Sequence, residues 1–446
     1  MRTSKLIARL LCAVALLWGA NALMGFVLEP VASNSRVMWE QYRAAERVDT
    51  LFLGTSISEQ AFWPQVVDAQ AHTSSFNLSS SAQHLEESLM GLERALADHP
   101  ELSCVVLGLE YDSCQDVGVS NPGRAFVRYK NADDLPTALR DTVTLLADDR
   151  LLGTPDSINW AFPWVNEHVY LLPADIISNV REKLGGEPLP GASWTEVQRL
   201  GQGFSTTERV FSFNDDPAVP YVHTFGAAPF FPRKLETLER ICRLCQERGV
   251  ELLAVFPPIP VFSVLSYGPT YFDQGQQLRA LVEGYGGRYF DFNLARPELY
   301  DTARTDVFAD YTHLNRTGAE AFSSSFGRLL NELRAGHDVD RLFYGKDEYL
   351  ASKGYVDLVL AETQAQDGGI LLKADAIAGP GARLEYQMLV WRPESETWEV
   401  WRDWSSEPQA LFAPGDPGTW RLRVCVREQG SDVPYSRYRT VEAAYE

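Results

Sequence analysis

"VDTLFLGTSISEQAF", residues 48–62, is the stretch whose reading decides the fold. Val48 to Leu53 reads as a buried apolar strand, the strand stops at Gly54, and a helix start follows. Two readings of the hydroxyls at the break compete. In one, Thr55 or Ser56 is an N-cap whose oxygen accepts one of the helix's first free N–H groups. In the other, Ser56 is a nucleophile at the carboxyl end of a strand, where open α/β sheets hold their ligands. Taken alone, the stretch favours the cap.

Outward from it, strand and helix signals alternate. "HLEESLMGLERALADHP" (84–100) has apolar residues at helical spacing, and "SCVVLGLEY" (103–111) is a second buried strand. "LETLERICRLCQERG" (235–249) and "QGQQLRALVEGYGG" (274–287) are helices. They flank the strand in "VELLAVFPP" (250–258) and precede the one in "RYFDF" (288–292); "NRTGAEAFSSSFGRLLNELRAG" (315–336) closes as a helix. Continuous apolar strands alternating with helices predict a parallel sheet with helices on both faces, over residues 33–344. Between about 115 and 232 the pattern dissolves, which predicts an insertion or a lid. From 345 to 446, short alternating strands divided by Gly, Pro and Asp turns predict an antiparallel β-sandwich.

The 446-residue chain is long enough for two folded units, and 45% hydrophobic content supports a large core. A net charge of −20 argues against a nucleic-acid partner, whose phosphates this surface would repel. Arg2, Lys5 and Arg9 precede an apolar run from Leu10 to Leu28. As a helix that run rises about 28 Å, near the thickness of a bilayer's hydrocarbon. Residues 1–32 are therefore expected to form a membrane anchor, with the basic end inside and the folded units outside a single-pass cell membrane. A cleaved signal ending at "GANA" (19–22) is the alternative. Of six cysteines, Cys12 lies in the anchor, and Cys242 and Cys245 face the core from one helix; the spacing leaves a Cys104–Cys114 pairing open.

"DVFADYTHLNRTGAEAF" (306–322) changes the reading of Ser56. Asp310 and His313 lie three apart before a helix, so one turn brings both to the same side. A carboxylate beside an imidazole fixes its tautomer, and the imidazole then takes a serine's proton and returns it to a leaving group. The bland reading makes Asp310 a cap and His313 a surface residue. The other histidines have no metal-site spacing, and neither metal nor cofactor is expected.

Together, "LFLGTSIS" (51–58) and "DYTHLNRTGAEAFS" (310–323) resemble the SGNH (GDSL-like) hydrolase and acyltransferase superfamily. The branch is the one that includes alginate O-acetyltransferases and lipoteichoic acid D-alanyl transfer proteins. The resemblance spans about residues 46–335. It implies Ser56 as nucleophile, His313 as base and Asp310 as its acid partner. It also implies oxyanion donors from the Ser56 N–H and from two further blocks. Here those blocks depart from the family. "FNLSSSAQ" (76–83) puts Ala82 at the glycine position, where its N–H can donate if φ is negative. "LGLEYDS" (107–113) puts Glu110 at the asparagine position, leaving Tyr111 as the nearest substitute, with Asn77 next. The C-terminal unit is similar to small immunoglobulin-like modules of the triple-tyrosine type, with Tyr386 and Trp398 or Trp401 matching and Trp420 replacing the last tyrosine. Trp160, Phe162 and Trp164, or Trp391, Trp398, Trp401 and Trp404, are candidate sugar-stacking faces.

The function implied is a membrane-anchored extracellular serine acyltransferase or esterase. It would act on O-acyl groups of a cell-surface glycan or polyol polymer, with a multi-spanning membrane acyltransferase as partner. A secreted esterase, or a catalytically decayed SGNH fold that binds glycan, are the alternatives.

Overall fold

The computed structural model describes residues 2–28, 34–115, 164, 173–187, 189, 198–211, 229–260, 264, 269–302, 304, 306–352, 356–378, 381–432 and 434–445. Much of the expected insertion, with Trp160 and Phe162, lies outside the described residues. The chain begins with α1 (Arg2–Leu28) and α2 (Asn34–Ala44). Then come β1 (Thr50–Leu53), α3 (Ser56–Ala61), α4 (Pro64–Ala71) and β2 (Ser75–Asn77). These are followed by α5 (Leu85–Asp98), β3 (Cys104–Gly108) and the single turn α6 (Tyr111–Cys114). The insertion supplies α7 (Pro173–Lys183) and a hairpin of β4 (Gln198–Gly201) and β5 (Phe204–Thr206). The α/β pattern resumes with α8 (Pro232–Arg248), β6 (Glu251–Phe256), α9 (Pro269–Gly284) and β7 (Arg288–Asp291). It ends with α10 (Arg316–Arg334) and α11 (Lys346–Ser352).

The five long-range strands form one parallel sheet in the order β2-β1-β3-β6-β7. Side chains alternate between its faces, as period-two backbone requires. Leu51, Leu53, Val105, Leu107, Leu252 and Ala254 pack with α2, α5, α8 and α9. Phe52, Val106, Leu253 and Val255 pack with α4 and α10. Burial on both faces explains why the strand sequences are continuously apolar. The order reverses at β1, between β2 and β3, so the carboxyl ends of β1 and β3 flank the switch point where such sheets bind ligands.

The C-terminal unit is a sandwich of seven antiparallel strands. One sheet is ordered β11-β10-β13-β14: β10 (Leu384–Arg392), β11 (Thr397–Ser405), β13 (Gly418–Glu428) and β14 (Arg437–Tyr445). The other is ordered β12-β9-β8: β8 (Val356–Gln366), β9 (Gly369–Ala378) and β12 (Gln409–Phe412). Its core, with Met388, Val390, Leu372 and Leu422, is separate from the α/β core. Tyr349 of α11 is buried in the first core, its ring 5.9 Å from Phe272, so α11 belongs to the α/β unit. Cys104, Cys114, Cys242, Cys245 and Cys425 are all free and buried, which closes the question of a Cys104–Cys114 bridge.

Candidate active site

The neighbouring hydroxyls of the opening stretch have different partners. Thr55 is the N-cap of α3, its hydroxyl oxygen accepting the Ile57 N–H at 3.2 Å. That leaves the hydroxyl of Ser56, the first residue of the helix, for another partner. The turn is tight because two glycines crowd Ser58. A Cβ at Gly108 would come within 1.6 Å of the Ser58 Oγ, and one at Gly54 within 2.5 Å, so only glycine fits either place. Ser58 is held there by a 3.1 Å hydrogen bond to Glu110 Oε1, while Ser113 donates to Glu110 Oε2 at 3.0 Å. Glu110 is buried with no cation bonded to it among the described residues, and burial pushes its carboxyl above the usual range.

His313 reaches the same place from the other end of the chain. Its Nε2 lies 2.8 Å from Ser56 Oγ, and its Nδ1 lies 2.8 Å from Asp310 Oδ2. The loop bearing the pair is closed by Ala309 N–H donating to the His313 carbonyl at 2.8 Å. Asp310 Oδ1 also accepts the N–H groups of Thr312 and His313, both at 2.8 Å. Burial opposes the Asp310 charge, but the bond to the His313 ring and these N–H groups outweigh it and hold the carboxyl at about 2. Asn315 caps α10 through Gly318 N–H and donates to the Asp306 carbonyl, so it serves its own loop.

The two halves are latched together. Ser323 of α10 accepts the Trp63 N–H at 2.8 Å and donates to the Ala61 carbonyl at 2.9 Å. Phe62, between them, stacks on Phe52 of β1 and meets Phe322 and Phe326 of α10.

Two expected oxyanion donors are not as foreseen. Tyr111 is wholly buried, between Phe256 and Tyr271, and its hydroxyl donates to the Tyr271 carbonyl at 2.7 Å. The turn of α6 sends the ring down into the core, so Tyr111 is a packing residue and its role as donor is withdrawn. Ala82 sits in an exposed turn with φ 54°, the left-handed region, not the negative φ that an alanine prefers. Asn77 is also spent: its Nδ2 bonds the Phe62 and Ser58 carbonyls, and its Oδ1 accepts the Ser79 N–H. It fixes α3 beside β2.

The sequence did not disclose the role of the β4–β5 hairpin. Asn77 N–H donates to the Gln202 carbonyl, Ser205 donates to the buried Glu59 of α3 at 2.7 Å, and Phe204 stacks on Trp63. Just beyond, Thr207 accepts the Arg316 N–H and Phe211 donates to the Phe308 carbonyl. The insertion thus lines the loop that carries Asp310 and His313. In the sandwich, Trp401 and Trp420 pack on the core. Trp398, outside it, is covered by the Arg423 guanidinium at 4.0 Å, and Trp404 by that of Arg427. Those ring faces are occupied by this chain's own arginines.

No family model and no curated protein matches the chain. Among solved structures it is similar to a GDSL-like lipase from Bacteroides thetaiotaomicron (8% identity, TM-score 0.30, 68% of this chain and 98% of that one). It is also similar to a carbohydrate acetylesterase from Sinorhizobium meliloti (10% identity, TM-score 0.26, covering 64% and 100%). A third is an aryl esterase from M. smegmatis (11%, 0.25, covering 64% and 98%). At these scores the fold rests on the sheet order and the site on the measured distances.

Proposed function

We propose that this chain is a serine acyltransferase or esterase of the SGNH type, in which Ser56 is the nucleophile, His313 the base and Asp310 the group that orients it. The observation that carries this reading is the continuous line from Ser56 Oγ to His313 Nε2 and from His313 Nδ1 to Asp310, at 2.8 Å each. As Ser56 Oγ attacks an acyl carbonyl, its proton passes to His313 Nε2. The tetrahedral intermediate collapses, the leaving alcohol takes that proton, and Ser56 is left acylated. An acceptor hydroxyl, or water, then gives its proton to His313 Nε2 and attacks the ester. Collapse releases Ser56, which recovers the proton. Throughout, Asp310 accepts from Nδ1–H and stabilises the imidazolium. The Ser56 N–H, a first-turn donor with no helical partner, is the proposed oxyanion donor.

We further infer an extracellular position, anchored by α1, with a glycan or polyol polymer of the cell surface as acceptor and a multi-spanning membrane acyltransferase as donor-side partner. The apolar stretch Lys5–Leu28, 24 residues long, supports the anchor. A decayed, glycan-binding SGNH fold is favoured by one observation: Glu110 and Tyr111, at the family's third block, both have their polar atoms engaged within the protein. A fluorophosphonate probe decides between them. Labelling at Ser56 is expected, with His313→Ala abolishing it and Asp310→Asn reducing it less. Wild-type labelling of Ser56→Ala, or none of the native chain, overturns the enzyme reading.

A further inference from the structure

Helix α7 is amphipathic the wrong way round for a water-soluble surface. Asp175, Ser178 and Asn179 are fully buried, whereas Ile177 is 60% exposed and Leu184, just past the helix end, is 74% exposed. Pro173, Ile177, Val180 and Leu184 fall at i, i+4, i+7 and i+11, one continuous stripe. Leu184 N–H donates to the Val180 carbonyl, so the stripe keeps helical register to its end. In water such a stripe would turn inward and the polar face outward. Here the polar face is engaged. Asn179 Nδ2 donates to the Val27 carbonyl at 3.0 Å, and Lys183 Nζ donates to the Phe26 carbonyl at 2.8 Å. Ser178 accepts the Leu189 N–H and donates to Glu182.

The carbonyls that Asn179 and Lys183 reach are the last ones of α1, which no residue of that helix can satisfy. A lysine there also meets the negative end of the helix dipole. The 24 residues of Lys5–Leu28 rise about 36 Å, slightly more than a bilayer's hydrocarbon. The end that α7 caps therefore stands at the lipid–water boundary. The linker from α1 to α2 is short, residues 29–33, and spans at most about 18 Å. Met38, Trp39 and Tyr42 of α2 are in the α/β core, so that domain is held close to the same boundary.

We propose that α7 is an interfacial helix: it lies in the outer leaflet's headgroup region, with Pro173, Ile177, Val180 and Leu184 in the acyl chains and its polar face clamping the end of α1. This rests on α1 spanning the membrane, and the test separates the two. The full chain is reconstituted in phosphatidylethanolamine–phosphatidylglycerol vesicles containing lipids with a nitroxide near the headgroup or near the chain end. An environment-sensitive fluorophore is placed on the native Cys12, the one exposed cysteine, or on Ile177→Cys, Leu184→Cys or Arg248→Cys in a Cys12→Ser background. Arg248 ends α8 and is exposed. The expected result is quenching of Cys12 chiefly by the chain-end nitroxide and of positions 177 and 184 chiefly by the headgroup one, with 248 unaffected. Quenched Cys12 with 177 and 184 as wet as 248 overturns the interfacial helix and leaves the anchor standing. An unquenched Cys12 overturns the anchor and the inference with it.

Discussion

Ala82 holds φ 54° in the turn after β2, a conformation that costs a non-glycine residue about 1 kcal/mol. The resemblance places a glycine at this position, and glycine would adopt the turn without that strain. Ala82→Gly is therefore expected to leave the melting temperature unchanged or raise it, since release of strain offsets the greater freedom of an unfolded glycine. Fluorophosphonate labelling should be retained. A clear fall in melting temperature would mean the alanine methyl makes contacts that outweigh its backbone. Asp310 and His313 were legible because three residues before a helix is a local spacing. Tyr111 was misread because its direction is set by α6, a single turn that redirects the ring from the sheet's carboxyl edge into the core. Glu110 looked like a lost donor; what could not be seen was Ser58, against Gly54 and Gly108, filling the place beside it.

Between elements, α3 and α10 are joined by Ser323, one hydroxyl that accepts from Trp63 and donates to Ala61. Ser323→Ala leaves the half-buried Trp63 N–H and the buried Ala61 carbonyl without their partner, a loss of about 1–3 kcal/mol. Calorimetry should show that as a lower melting temperature. Because α3 starts at Ser56 and α10 follows the His313 loop, labelling should also slow. An unchanged melt and rate would show that the aromatic packing of Phe62 against Phe322 and Phe326 holds the two elements unaided. Four of the five strands of the parallel sheet were readable from their apolar runs, and α5, α8 and α10 from helical spacing, because each packs on a large core; β2, three residues with a single apolar one, was not. The hairpin was not readable. β4 and β5 are four and three residues long and are held chiefly by contacts to Asn77 and Glu59 that lie far off in sequence. Nor was α7, whose pattern makes sense only beside α1.

Over the whole molecule, three carboxyls set opposing pH dependences. Burial raises Asp291 to about 6 and also raises Glu110, so each folded pKa lies above its unfolded value. Their protonated forms favour the folded state, and that stability is lost as pH rises through the folded values. Asp310, held at about 2 against an ordinary 3.8, acts the other way: its contribution, about 2 kcal/mol, is present above pH 4 and lost as pH falls toward 2. Chemical denaturation should therefore show stability rising as pH is lowered from 7.5 to 5, then falling below 4. Relief of repulsion among the −20 net charge adds to the first limb. Asp291→Asn should flatten that limb without touching the acid one. If the variant's profile is parallel to the native one, Asp291 titrates normally and the rise comes from Glu110 and net charge.

The seam between the two units yields the sharpest contrast at this scale. A chain ending at Ser352 keeps α11, with Tyr349 packed near Phe272 and Glu348 paired to Arg296 at 2.7 Å; a chain ending at Tyr344 loses both. Removing a buried aromatic typically costs about 3–5 kcal/mol, whereas the sandwich takes its own core with it when it is cut away. The longer truncation is thus expected to melt cooperatively near the temperature of the α/β transition in the full chain and to label at Ser56 at the native rate. The shorter one should melt well below it. If both behave alike and both are stable, α11 only rests on the surface of the core. If both aggregate, the contact of Leu360 in β8 with the α/β core is part of what holds that core together, and the two units fold as one.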